Sequence, residues 1–162
     1  MILFFHGYQS GPNTNKYTLL TGEKHCEHVD YDQLSYQEVS DLYDRLIAKH
    51  QPTLLAGHSL GGYWALIKSH EHQIPCAVAN PQCFPDKFYN KGYTDITTQR
   101  ITDSIRRSVY METGDEVLRV SDTIQVLMPQ CKMMIHQGGH HRLERPNQLN
   151  NLLQEIIQHE FI

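Results

Sequence analysis

The chain has 162 residues, 40% apolar and 20% charged, with 14 basic against 18 acidic side chains, a formal charge of −4 with its eleven histidines neutral. That composition excludes wholesale disorder, and the length suits one domain, 1–162, that buries roughly 70% of its unfolded surface without staples or metal. The scattered lysines and arginines leave no electrostatic footprint for nucleic acid, and no apolar run nears the roughly 18 residues that cross a bilayer.

Met1–Phe5 is too short for a secretory leader and lacks a basic start. Cys26, Cys76, Cys83 and Cys131 are widely spread, with no C-x-x-C pair. They read as free thiols, two or three of them packed as small hydrophobes, in a reducing cytoplasm with no membrane partner.

Short apolar runs alternate with amphipathic stretches. Met1–Phe5, roughly His25–Tyr31, Thr53–Ala56, Cys76–Asn80, Ser108–Glu112 and Cys131–His136 end in turn residues and read as strands, His25–Tyr31 the weakest. Tyr36–His50 carries Val39, Leu42, Tyr43, Leu46 and Ile47 at helical spacing, with Ser35 and Glu38 placed for a capping box. Leu60–His70 and Pro146–Phe161 read as two further helices, and a shorter one is expected from about Thr94. Strand and helix in alternation imply an α/β fold, a parallel sheet of about six strands covered on both faces. The interval Pro81–Arg107 is irregular and too short for a large lid domain. It is expected to contribute to a substrate pocket.

The most informative segment is Gly57-His58-Ser59-Leu60-Gly61, with an apolar strand before it and helix formers after it. A serine on so sharp a turn stands clear of the sheet, and the neighbouring glycines let strand and helix pass closely. Its structural alternative is an ordinary strand–helix turn whose glycines serve packing alone. A serine hydroxyl needs a base, and the base an orienting carboxylate. Asp115 follows a glycine past a strand end, where it also suits a turn or helix cap, and Glu112 and Glu116 compete with it. Gly138-Gly139-His140-His141 can present an imidazole from a flexible loop, with the choice of histidine open. Most of the remaining histidines read as solvated, and His25-x-x-His28 and His70-x-His72 lack a third metal ligand at telling distance. After the first strand comes His6-Gly7-Tyr8. The amides of Tyr8 and Leu60 are the candidate donors of an oxyanion hole, with a plain strand-to-loop turn as the bland alternative at Tyr8.

Taken in order, Phe5-His6-Gly7-Tyr8, Gly57–Ala65, Asn80-Pro81, Thr113–Leu118 and Gly138–His141 resemble the small YqiA-type esterases of the α/β-hydrolase superfamily. The resemblance implies a three-layer α/β-hydrolase fold in minimal form, without the first two strands of larger hydrolases. It also implies Asp115 as the acid and His141 as the base, with His140 its variable neighbour. Family members usually carry a small residue and then an aromatic after that histidine, and tend to have an arginine before the second proline. This chain has Arg142-Leu143 and Gln82-Cys83-Phe84-Pro85.

The expected activity is cleavage of small acyl esters through an acyl-enzyme on Ser59, with no metal or organic cofactor. A thioesterase using the same triad is the nearest alternative. A binding protein that keeps the fold without turnover is the other, and covalent labelling of Ser59 separates it from an enzyme.

Overall fold

The computed structural model describes residues 1–160. Six strands form one all-parallel sheet: β1 (Ile2–Phe5), β2 (Lys24–His25), β3 (Leu54–Ser59), β4 (Cys76–Pro81), β5 (Arg107–Glu112) and β6 (Lys132–His136). Their spatial order is β2-β1-β3-β4-β5-β6. The helices are α1 (Asn15–Thr18), α2 (Tyr36–His50), α3 (Leu60–His72), α4 (Val120–Leu127) and α5 (Asn147–Glu160). This is the α/β-hydrolase fold expected from the sequence, with no lid domain among the described residues.

Side chains alternate between two cores, as the pleat requires. Leu3, Phe5, Leu55, Val78 and Val109 face α2, α3 and α4, while Ile2, Phe4, Leu54, Ala56 and Tyr110 face α5 and the α1 region. Both faces of β1, β3, β4 and β5 are therefore dry, which explains why these strands read as continuous apolar runs. Ser35 and Glu38 form the expected capping box on α2, the Ser35 hydroxyl accepting from the Glu38 amide and the Glu38 carboxylate from the Ser35 amide. Cys26, Cys76 and Cys83 are buried and Cys131 half-buried, all as free thiols. Burial pushes the Cys76 thiol up to about 11 and those of Cys26 and Cys131 up to about 12. No helix among the described residues is long and apolar enough to cross a membrane.

The strand order reverses between β1 and β3, and open α/β sheets bind ligands beyond the carboxyl ends of strands at that point. The loops after β1 and β3 accordingly converge there.

Three expectations need correction. The strand expected over His25–Tyr31 pairs only at Lys24–His25. Beyond it the chain is tied by side chains: His6 Nε2 accepts from the Val29 amide, and Tyr31 donates its hydroxyl to the His6 carbonyl. The helix expected from about Thr94 is a single 3₁₀ turn at Thr98–Ile101, and Asp86–Lys91 forms another. Phe88, Tyr93, Ile96 and Ile101 turn inward against α3 instead, where Trp64 donates to Tyr93 and Tyr63 to the Thr94 carbonyl. The segment thus covers α3 and does not wall the cleft beside Ser59, contrary to its expected share in a substrate pocket. The short α1 carries no sequence signal. The expected end of the last helix at Phe161 lies outside the described residues.

Candidate active site

Ser59 closes β3 with φ 55° and ψ −122°, a conformation that an L-residue holds only when its surroundings demand it. The demand comes from packing. A Cβ on Gly57 would stand 2.3 Å from the Gly61 carbonyl oxygen, and one on Gly61 would stand 1.8 Å from that of Phe5. Only glycine lets β1, β3 and α3 approach this closely. The Ser59 carbonyl then accepts from the Gln82 amide, clamping the turn from outside. Leu60 opens α3, so its amide has no intrahelical acceptor and sits at the positive end of the helix. The Ser59 hydroxyl makes no hydrogen bond among the described residues and faces an open cleft.

Across that cleft His141 Nδ1 lies 2.7 Å from Asp115 Oδ2. A carboxylate only accepts, so Nδ1 carries the proton and Nε2 is left as the basic nitrogen. Asp115 opposes its own burial with four donors: His141, the Leu118 amide, Asn80 and the Val117 amide. These outweigh desolvation and bring its carboxyl down to about 2. Asp115 Oδ1 thus holds the turn while Oδ2 holds the imidazole. That turn also delays α4 to Val120, later than the sequence suggests.

Two residues without an assigned role organise this corner. The register of β4 against β3 slips so that His58 pairs with Ala79 and Ser59 with Pro81, leaving Asn80 as an extra residue at φ 40°. The bulge aims its side chain at β5, donating to Asp115 and the Glu112 carbonyl and accepting from the Glu112 amide. Glu112 is fully buried, and its carboxylate accepts from the amides of His140, Glu144 and Arg145 and from the Tyr110 hydroxyl. A Cβ on Gly139 would overlap that carboxylate at 2.0 Å. Glu112 thus builds the histidine loop and leaves the imidazole to Asp115, while Glu116 accepts from the His141 amide. The His140 side chain has no partner among the described residues.

His6 orders the loop after β1. Its Nε2 accepts from Val29, so Nδ1 carries the proton and donates to the Gly7 carbonyl at 2.7 Å. Because carbonyl and amide of a trans peptide point opposite ways, this turns the Tyr8 amide away from His6. That amide has no acceptor among the described residues, which leaves it available as an oxyanion donor alongside Leu60. His58 is buried and donates Nε2–H to the His141 carbonyl at 2.7 Å, tying the Ser59 turn to the histidine loop.

His6 must stay neutral for its Nε2 to accept from Val29, and burial favours the neutral form of His58. Burial, with the charges of Lys16 and His141 adding to it, pushes His58 down to about 3, and burial also lowers His6. An unfolded histidine titrates near 6.5, so the unfolded chain takes up the proton first as pH falls. This contribution to stability is full above about pH 6.5 and is lost as pH falls towards 3, at up to ~1.4 kcal/mol per pH unit for each histidine. The urea midpoint should therefore drop between pH 7 and 5, with a shallower slope in His58→Gln. An equal slope in the variant would contradict the assignment.

The cleft beside Ser59 has a volume of about 730 Å³ and is walled by Gly7–Lys16 from one side and His140–Leu143 from the other. Elsewhere, Asp44, Glu71 and His72 bring ligand atoms within 4.8 Å of one another, but Lys68 Nζ already sits 2.7 and 2.6 Å from the two carboxylates. That cation occupies the place a metal would take.

A family model described as "Uncharacterised protein family (UPF0227)" matches residues 1–95, more than half of the chain. Among solved structures the chain is similar to Est1E from Butyrivibrio proteoclasticus, with a TM-score of 0.76 at 9% identity over 99% of this chain and 87% of that one. It is also similar to a putative α/β-superfamily hydrolase from Xanthomonas campestris pv. campestris, with a TM-score of 0.69 at 20% identity over 97% and 96%. Mouse alpha/beta hydrolase domain-containing protein 10 matches with a TM-score of 0.71 at 13% identity over 97% and 89%. At these identities the likeness is one of fold.

Proposed function

Because the chain belongs to the Uncharacterised protein family (UPF0227), whose YqiA-type members its motifs resemble, we propose that residues 1–162 form one serine hydrolase domain cleaving small acyl esters. The observation that carries this reading is the Asp115–His141 hydrogen bond, which frees Nε2 of an imidazole that lines the same cleft as a serine on a strained turn. In the proposed reaction Ser59 Oγ attacks the carbonyl carbon and its proton passes to His141 Nε2. The Tyr8 and Leu60 amides stabilise the negative oxygen. Collapse of the tetrahedral centre breaks the bond to the leaving group, which takes the proton from His141. Water then attacks the acyl-enzyme by the same route, and Asp115 holds the imidazolium throughout. A thioester would follow the same steps with a sulfur leaving group. No cofactor is needed for any of them.

Hydrolysis of p-nitrophenyl acetate, butyrate and octanoate by the purified protein tests the proposal, with Ser59→Ala measured beside it. Turnover lost in the variant is expected. Equal turnover in the two proteins would remove Ser59 as nucleophile.

A further inference from the structure

Lys16 is only 8% exposed, yet its ammonium has neither an ion pair nor a hydrogen bond among the described residues. Its stem is packed away while the ammonium keeps access to the cleft, so the position presents a positive charge to that cleft with no counter-charge among the described residues. Lys16 lies in the cleft wall beside Ser59, on the loop side, and Arg142 lies in the opposite wall next to His141. Arg142 is exposed and, among the described residues, equally unpaired. The two charges are close enough to feel one another: burial first, and Arg142 second, lower the Lys16 pKa. Among the described residues no aspartate or glutamate lines the cleft to offset them, since Asp115 stands behind His141. A third polar group is also unsatisfied there, for Thr14 Oγ1 is buried without a partner in the same wall. The nucleophile thus faces a positively charged cleft that lacks its counter-charge.

We propose that the substrate of this site is an ester bearing an anionic group, which pairs with Lys16 and Arg142 while its acyl carbon rests at Ser59. The inference rests on the hydrolase reading and narrows it to a substrate class. The anion belongs to either the acyl or the alcohol part, and two probe pairs distinguish these. For the acyl side the pair is mono-p-nitrophenyl glutarate and p-nitrophenyl pentanoate; for the alcohol side, 4-acetoxybenzoate and its methyl ester.

The readout is the ratio of kcat/KM for the charged over the neutral member, compared between the wild type and the Lys16→Met and Arg142→Gln variants, which cancels intrinsic reactivity. Charge-assisted pairing predicts that the ratio of at least one pair falls by about tenfold or more in each variant, chiefly through KM. Added salt should lower the wild-type ratio as well. Lys16→Met should melt no lower than wild type, because it keeps the packed apolar stem and removes an unpaired, partly desolvated charge; a lysine with a purely structural task would lose stability instead. Arg142 is exposed, so its variant tests the proposal even if Lys16→Met folds poorly. Ratios unchanged within about threefold in both variants, with Ser59-dependent turnover intact, would overturn the anionic substrate and leave the hydrolase standing. Absence of Ser59-dependent turnover on all four esters would overturn the hydrolase reading and this one with it.

Discussion

Ser59→Ala should lower kcat by about 10⁴–10⁶-fold on any ester the protein turns over, and His141→Ala by a similar factor. The reason is that neither group works alone. A serine hydroxyl without a base is barely nucleophilic, and an imidazole without the serine has no acyl acceptor to activate. The double variant should therefore lose little more than either single one, retaining the residual rate that the Tyr8 and Leu60 amides supply. Asp115→Asn should cost about 10⁴-fold, because an amide at that position no longer imposes Nδ1–H on His141. Single-turnover kinetics on the four proteins check this. Additive losses in the double variant would show that Ser59 and His141 act independently.

Gly61→Ala should abolish folding altogether. The added Cβ would meet the Phe5 carbonyl oxygen at 1.8 Å, a backbone atom of a central strand that cannot move without breaking the β1–β3 ladder. Relieving so deep an overlap with backbone means parting α3 from β1, which removes the core contact on which a domain stability of only about 5–15 kcal/mol depends. Gly22→Ala makes the contrast: it lies at φ 90° with nothing within 4 Å of the added atom, so only backbone strain of about 1–2 kcal/mol is expected. A cooperative thermal transition for Gly22→Ala and none for Gly61→Ala is the predicted outcome. A normally folded Gly61→Ala would mean that α3 does not dock as closely on β1 as described here.

The parts of the fold that the sequence announces are those with a local cause. The Ser35–Glu38 box marks the start of α2 because both halves of the cap are within four residues. The strands buried on both faces show as apolar runs because no polar face interrupts them. The Ser59 turn is legible because its residues form one short local pattern, Gly57 answering to Gly61 and Gly62 within the turn, even though Gly61 itself answers to Phe5 on β1. What escapes is set by distant parts of the chain. Asn80 looks like a strand terminator, and only the slipped register of β4 against β3 turns its amide onto Asp115. Glu112 looks like a second acid, and only the folded loop shows its carboxylate filled with backbone donors. Phe88, Tyr93, Ile96 and Ile101 lie on 3₁₀ turns and coil with no helical period, so their docking on α3 leaves no pattern. Lys16 reads as one more solvated lysine until α1 places it in the cleft wall.

The central claim is that Ser59 is an activated nucleophile. Incubation of the folded protein with a fluorophosphonate, followed by mass spectrometry of its tryptic digest, tests this most directly. One covalent adduct is expected, on Ser59 within the peptide spanning residues 50–68, forming far more slowly in Asp115→Asn. An unmodified Ser59 in a protein that still unfolds cooperatively would contradict it, and would leave the fold in place without the chemistry.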